Sequence, residues 1–184
     1  MTNIFHILQK RRLLNQITHQ SLMSDPPSTS KSVYVGFDPT AESLHLGNFV
    51  SLVALNWFRA IGYQPIVLFG GATGLIGDPS GKSNERNLLH PDDVEKNVAS
   101  FQTQFKIIEN NFAKHLPKLD SKTPLKDVKY VNNLEFYRDL GMLNFLRDIG
   151  KHFRVNSMIS KDSVKNRLNS VDASDGLSFT EFTY

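Results

Sequence analysis

Val33-Tyr34-Val35-Gly36-Phe37, then Leu46 to Ile61, then Pro65-Ile66-Val67-Leu68-Phe69 is the stretch that decides the fold. The first run is rich in β-formers and is closed by Pro39 and polar neighbours, so it reads as a strand. Residues 46–61 carry Phe49, Val50, Leu52, Val53, Trp57 and Ile61 at helical spacing, and Gly62 suits the residue just past a helix end. The second apolar run is bounded by Gly62 and Gly70 and reads as a buried strand. Strand, helix and strand in so short a span predict a right-handed βαβ unit and a parallel sheet. Ligands of such sheets bind beyond the carboxyl ends of the strands.

Both chemically distinctive segments lie at those ends. After the first strand come Asp38, Pro39 and Thr40, and then His45, Leu46, Gly47 and Asn48 at the start of the helix. A helix N-terminus presents unpaired amides and the positive end of the dipole, which suits phosphate. Gly47 lets a ligand approach the backbone, His45 and Thr40 are able to donate to phosphoryl oxygens, and Asp38 suits an amine or a ribose hydroxyl. After the second strand comes a glycine-rich loop, Gly70 to Ser83, holding Asp78 and Lys82 and followed by Arg86. It is not a P-loop, because the position five residues before Gly81 is Ile76 and not glycine. Its two cations are suited to neutralising a polyphosphate leaving group.

Further out, residues 4–17 read as a short basic amphipathic helix, either an organellar transit segment or a surface helix packed on the domain. Residues 24–32 read as a linker or exposed loop. Residues 91–116 place Val94, Val98, Phe101, Phe105, Ile108, Phe112 and Leu116 at steps of three and four, a helix packed on the core. Residues 128–131 are a third strand, 135–153 are largely helical with a break near Gly141, and 159–168 are another short helix. Ser178 and Glu181 form a capping box that announces a further helix at the last residues of the sequence. This pattern is expected of the front part of a longer protein.

Composition sets the outer bounds. The 184 residues hold 21 Lys+Arg, 18 Asp+Glu and no Cys, for a net charge of +3. There is no disulfide and no thiolate metal site. No apolar window is long enough for a membrane span, so a soluble protein without a membrane partner is expected. Lys10, Arg11 and Arg12 are the only charged residues among the first 24, and residues 25–184 are balanced. The basic excess is therefore an N-terminal feature and does not mark a general nucleic-acid surface.

The segments Tyr34 to Gly47 and Gly70 to Lys82 closely resemble tyrosyl-tRNA synthetases of the bacterial and organellar type, which are class I aminoacyl-tRNA synthetases. The resemblance continues through Phe145 to Phe153 and Leu177 to Tyr184. It implies an α/β, Rossmann-like nucleotide-binding fold with a parallel sheet, incomplete at the C-terminus. Residues 1–32 would be an N-terminal helix and linker, and residues 33–184 a truncated catalytic domain. The implied reaction is ATP-dependent activation of tyrosine to tyrosyl-adenylate, then transfer to tRNA(Tyr). Thr40, His45, Lys82 and Arg86 would be catalytic, the last two gripping pyrophosphate. Asp38, Gly47, Asn48 and Ser51 would bind ATP or the adenylate, and Tyr34, Asp78, Asn133 and Tyr184 the tyrosine.

The resemblance also implies Mg2+ accompanying ATP, no protein-bound metal, and a homodimer when the protein is complete. Asn48 stands where the signature histidine-isoleucine-glycine-histidine has its second histidine, and Val35 where a cysteine is frequent. Asn at that place looks more like mitochondrial members, so the mitochondrial matrix is the expected location, with the cytoplasm as the alternative. The family's later elements, a lysine loop and an anticodon-reading region, have no counterpart in the sequence, so this chain alone is expected to lack full activity. Two other readings stay open: a tryptophanyl-type synthetase, and a truncated non-catalytic paralogue that binds RNA or a protein partner.

Overall fold

The computed structural model describes residues 3–24, 31–77, 88–115, 124–168 and 177–183. Three strands, β1 (Ser32–Phe37), β2 (Gln64–Phe69) and β3 (Lys129–Asn132), form one sheet in the order β1-β2-β3. β1 and β2 run parallel in the register Tyr34 to Ile66 and Phe37 to Phe69. They are joined through helix α2 (Leu46–Ala60), so the expected βαβ unit is present. The other helices are α1 (Ile4–Lys10), α3 (Thr73–Ile76), α4 (Pro91–His115), α5 (Leu134–Tyr137), α6 (Met142–Asn144), α7 (Val155–Ile159), α8 (Asp162–Leu168) and α9 (Phe179–Thr183).

The chain divides into two compact units. The first comprises Met1–Phe37, Ala41–Phe69 and Ala99–Val131, and the second Asp38–Thr40, Gly70–Val98 and Asn132–Tyr184. In the first unit Phe37, Leu52, Leu55, Val67, Phe69, Phe101 and Phe105 are buried. The Phe105 ring sits edge-on to Phe37 (4.8 Å) and to Phe69 (5.6 Å). Such pairs add to the area they bury. Strand alternation turns Val33, Val35 and Phe37 inward and leaves Ser32, Tyr34 and Gly36 exposed. In the second unit Val94 and Val98 of α4 are buried, and the Asn97 amide donates to the Pro39 carbonyl (3.0 Å).

The buried face of α2 also contains two polar residues, Asn56 and Arg59. Arg59 is 4% exposed; its Nε donates to the Lys126 carbonyl (2.6 Å) and its Nη2 lies 3.4 Å from Glu109 Oε1. Tyr130 on β3 donates its hydroxyl to Glu109 Oε2 (2.6 Å). Burial and then the hydrogen bond and charge of Glu109 push the Tyr130 phenol above the ordinary tyrosine range, with Arg59 opposing. The Arg59 guanidinium is thus buried in an ion pair with Glu109 and anchored by the Lys126 carbonyl.

Both helix ends before the strands are set by the backbone. α2 stops with Gly62 at φ 94°, its N–H on the Arg59 carbonyl and the Tyr63 N–H on the Phe58 carbonyl. This is a Schellman end, completed by the Phe58 and Tyr63 rings 5.4 Å apart. α1 ends in the same way, with the Arg12 N–H on Gln9 and the Leu13 N–H on Leu8. Here Arg12, a residue with a Cβ, takes φ 58°. The helix expected over residues 4–17 is therefore corrected to Ile4–Lys10. Ile4 and Leu8 are buried in a cluster with Ile61 and Tyr63, so α1 packs on its unit as a surface helix.

Other elements differ in detail from expectation. Within the glycine-rich loop Thr73–Ile76 form a helical turn. Residues 135–153 do break near Gly141, but beyond it α6 passes into a π turn (Phe145–Ile149) and a 3-10 turn (Gly150–His152). The helix expected over 159–168 is corrected to α8 (Asp162–Leu168), and Ile159 instead ends the separate helix α7 (Val155–Ile159). α7 closes at Ser160, whose hydroxyl caps the Ser157 carbonyl (2.8 Å). Residues 25–30 of the expected linker, Leu116, and the Glu181 side chain of the capping box lie outside what is described. No helix among the described residues is long and apolar enough to cross a membrane.

Candidate functional site

In the first unit, three of the expected residues lie on the opening turn of α2 and a fourth, Ser51, on the next. His45 is its N-cap, with an extended backbone and Nδ1 accepting from the Asn48 N–H (3.3 Å). The Asn48 Oδ1 in turn accepts from the His45 N–H (3.0 Å), which makes a reciprocal capping box. A neutral imidazole that accepts at Nδ1 carries its proton on Nε2, so the ring's remaining polar atom is a donor. Gly47 is explained by the same fold-back: a Cβ there would lie 3.0 Å from His45 Cε1 and 3.1 Å from Nδ1. The absent side chain makes room for the histidine ring. Ser51 donates its hydroxyl to the Gly47 carbonyl one turn back (3.3 Å). Tyr34 stands apart on the open side of β1, 68% exposed.

The second unit brings Asp38 and Asn133 together through Thr73, with Asn132 beside them and Thr40 in the turn after Asp38; neither Thr73 nor Asn132 is among the residues expected from sequence. Pro39, fully buried, holds a tight turn in which the Thr40 N–H reaches the Asp38 carbonyl (2.9 Å). The Thr73 hydroxyl donates to Asp38 Oδ1 (2.6 Å) and accepts from Asn133 Nδ2 (3.2 Å). Asn133 Oδ1 accepts from the Ala72 N–H (2.7 Å), while Asn132 Oδ1 accepts from the Gly71 (3.2 Å) and Leu134 (3.0 Å) N–H groups.

The paired glycines make this approach feasible. A Cβ on Gly70 would fall 1.9 Å from Asp38 Oδ1 and 2.4 Å from Thr73 Oγ1, and one on Gly71 would fall 2.2 Å from Asn132 Oδ1. Asn132 ends β3 and Asn133 follows it, so both amides face the Gly-Gly loop that follows β2.

Asp78, Lys82, Arg86 and Tyr184 lie outside the described residues. Among those described, no three His, Cys, Asp or Glu side chains are grouped to hold a metal ion. Each cluster by itself is rich in oriented donors, and the one in the second unit holds a carboxylate at Asp38. Such an arrangement suits positioning and charge stabilisation.

Known proteins resemble the chain throughout. The family model of the class I tRNA synthetases (W and Y) matches residues 27–184. A tyrosine–tRNA ligase of Protochlamydia amoebophila is 41% identical over 184 residues, covering 100% of this chain and 40% of that protein. The chloroplastic/mitochondrial tyrosine–tRNA ligase of Arabidopsis thaliana is 44% identical, covering 99% of this chain and 34% of that one. The crystal structure of a C-terminally truncated mitochondrial tyrosyl-tRNA synthetase of Aspergillus nidulans superposes with a TM-score of 0.81 at 30% identity, over 100% of this chain and 51% of its own. The chain thus spans well under half the length of the curated relatives it matches. With the βαβ unit, the capped α2 start and the Gly-Gly loop all in place, the chain belongs to the class I tRNA synthetases of the W and Y group.

Proposed function

We propose that the protein carrying this chain activates tyrosine with ATP and transfers it to tRNA(Tyr). A tyrosine carboxylate oxygen bonds to the α-phosphorus as the bond to pyrophosphate breaks, giving tyrosyl-adenylate; a hydroxyl of the tRNA then bonds to the tyrosyl carbonyl carbon as the bond to phosphate breaks and AMP leaves. The observation that carries this reading is the 41–44% identity to tyrosine–tRNA ligases over nearly the whole chain. The Nε2–H of His45 and the Thr40 hydroxyl donate to phosphoryl oxygens, and Lys82 and Arg86 hold the pyrophosphate. Asp38, Gly47, Asn48 and Ser51 line the adenylate. With its Oδ1 held by the His45 N–H in the cap, Asn48 presents its Nδ2 hydrogens to a ligand.

Tyr34 and Tyr184 meet the substrate with their hydroxyls, and Asp78 binds its ammonium group. Asn133 already gives one Nδ2 hydrogen to Thr73, and turns the second toward the substrate carboxylate. Mg2+ enters with the ATP. In this reading residues 33–184 are nucleotide-binding and residues 1–32 an N-terminal helix and linker. The exposed apolar side chains Phe136, Leu143, Phe153 and Val155 support pairing of two copies. The mitochondrial names of relatives in Arabidopsis and Aspergillus support a location in the mitochondrial matrix.

The decisive experiment is ATP–pyrophosphate exchange with each amino acid in turn, using the protein expressed from its own coding sequence. Exchange that depends on tyrosine and is not supported by tryptophan is expected. Exchange driven by tryptophan, or none, overturns the reading.

A further inference from the structure

We infer that Thr73 is a positioning residue for the adenylate-forming site, acting through Asp38 and Asn133; this rests on the tyrosine-activating function proposed above. The hydrogen bonds run in one direction, from the Ala72 amide to Asn133 Oδ1, from Asn133 Nδ2 to Thr73 Oγ1, and from the Thr73 hydroxyl to Asp38 Oδ1. A hydroxyl has one hydrogen to give, and here it goes to the carboxylate, so Thr73 must accept from the amide. That fixes which end of the Asn133 amide is oxygen and which is nitrogen, as the Ala72 bond requires independently.

The threonine therefore orients two ligand-facing side chains at once, one leaving a strand end and the other following β3, without needing to touch a ligand itself. Three consecutive residues, Gly70, Gly71 and Ala72, make room for this relay or anchor it: the first two lack side chains where Asp38, Thr73 and Asn132 approach, and the third supplies the anchoring amide. Oriented chains of this kind polarise each other, and removing the middle member strands a donor on one side and an acceptor on the other.

The test uses the Thr73→Val and Thr73→Ser variants in tyrosine-dependent ATP–pyrophosphate exchange. Valine keeps the shape and loses the hydroxyl, whereas serine keeps the hydroxyl. The T73V variant is expected to raise the KM for tyrosine by roughly tenfold or more, and T73S to stay within about twofold of wild type. A melting temperature cannot supply this contrast, since a purely structural threonine would lower it without moving KM. In an Asp38→Asn background, T73V should add far less than it does alone, because the group it orients is already impaired. Wild-type exchange with T73V unchanged, or with T73V and D38N fully additive, overturns the inference and leaves the function standing. Absence of tyrosine-dependent exchange in the wild type overturns the function and the inference with it.

Discussion

Replacing His45 with asparagine separates two jobs that one ring performs. Asparagine is as good an N-cap, so H45N should melt within about 0.5 kcal/mol of wild type. It has no donor at the place of Nε2–H, and tyrosine-dependent exchange should fall roughly a hundredfold. An unchanged rate would reduce His45 to a cap. Glycines give a parallel contrast. Gly70→Ala drives a Cβ into Asp38 and Thr73 and should destabilise by about 1–3 kcal/mol in urea titrations. Gly36→Ala meets nothing within 4 Å and should be neutral within about 0.5 kcal/mol. If the two alanines behave alike, close approach is not what keeps Gly70.

Among the elements, the two Schellman ends make opposite predictions. Gly62→Ala forces a Cβ into φ 94° and should cost about 1 kcal/mol, whereas Arg12→Gly relieves φ 58° and should gain up to about 1 kcal/mol in thermal melts. The same pair shows what the sequence made legible. Gly62 announced its helix end because glycine is the residue that takes that conformation without penalty. Arg12 announced nothing, and the apolar spacing of Leu14 and Ile17 suggested a longer α1. The βαβ unit and α4 were readable because their apolar periods are long and uninterrupted. The separation of α7 from α8 depends on a serine hydroxyl closing a turn, which periodicity does not register. In the site, residues of the α2 start could be read from motif and position. Thr73 and Asn132 act through a partner distant in sequence, so only the folded chain brings out their role.

For the molecule as a whole, the buried Arg59 with the half-buried Glu109 and Tyr130 sets an alkaline limit. The folded state holds the Tyr130 proton more tightly than the unfolded chain, whose tyrosine titrates near 10.0. This contribution is complete below that pH and is lost as pH rises from there through the higher folded-state value. Stability measured by denaturant from pH 8 to 11 should decline above about 10. Tyr130→Phe should lower stability by about 1 kcal/mol at neutral pH, where Glu109 loses a donor, and remove this group's part of the alkaline decline. An identical slope in both proteins would place the sensitivity elsewhere. Under the proposed function, the open side of β1 would bear on substrate choice in a different way. Tyr34 stands in bulk solvent, where a phenolic ligand merely trades places with a water molecule of similar hydrogen-bonding power. Whether that hydroxyl tells one ring from another thus depends on how dry its surroundings become when a ligand binds, and the reading of the phenol is a property of whatever shuts out water from that strand.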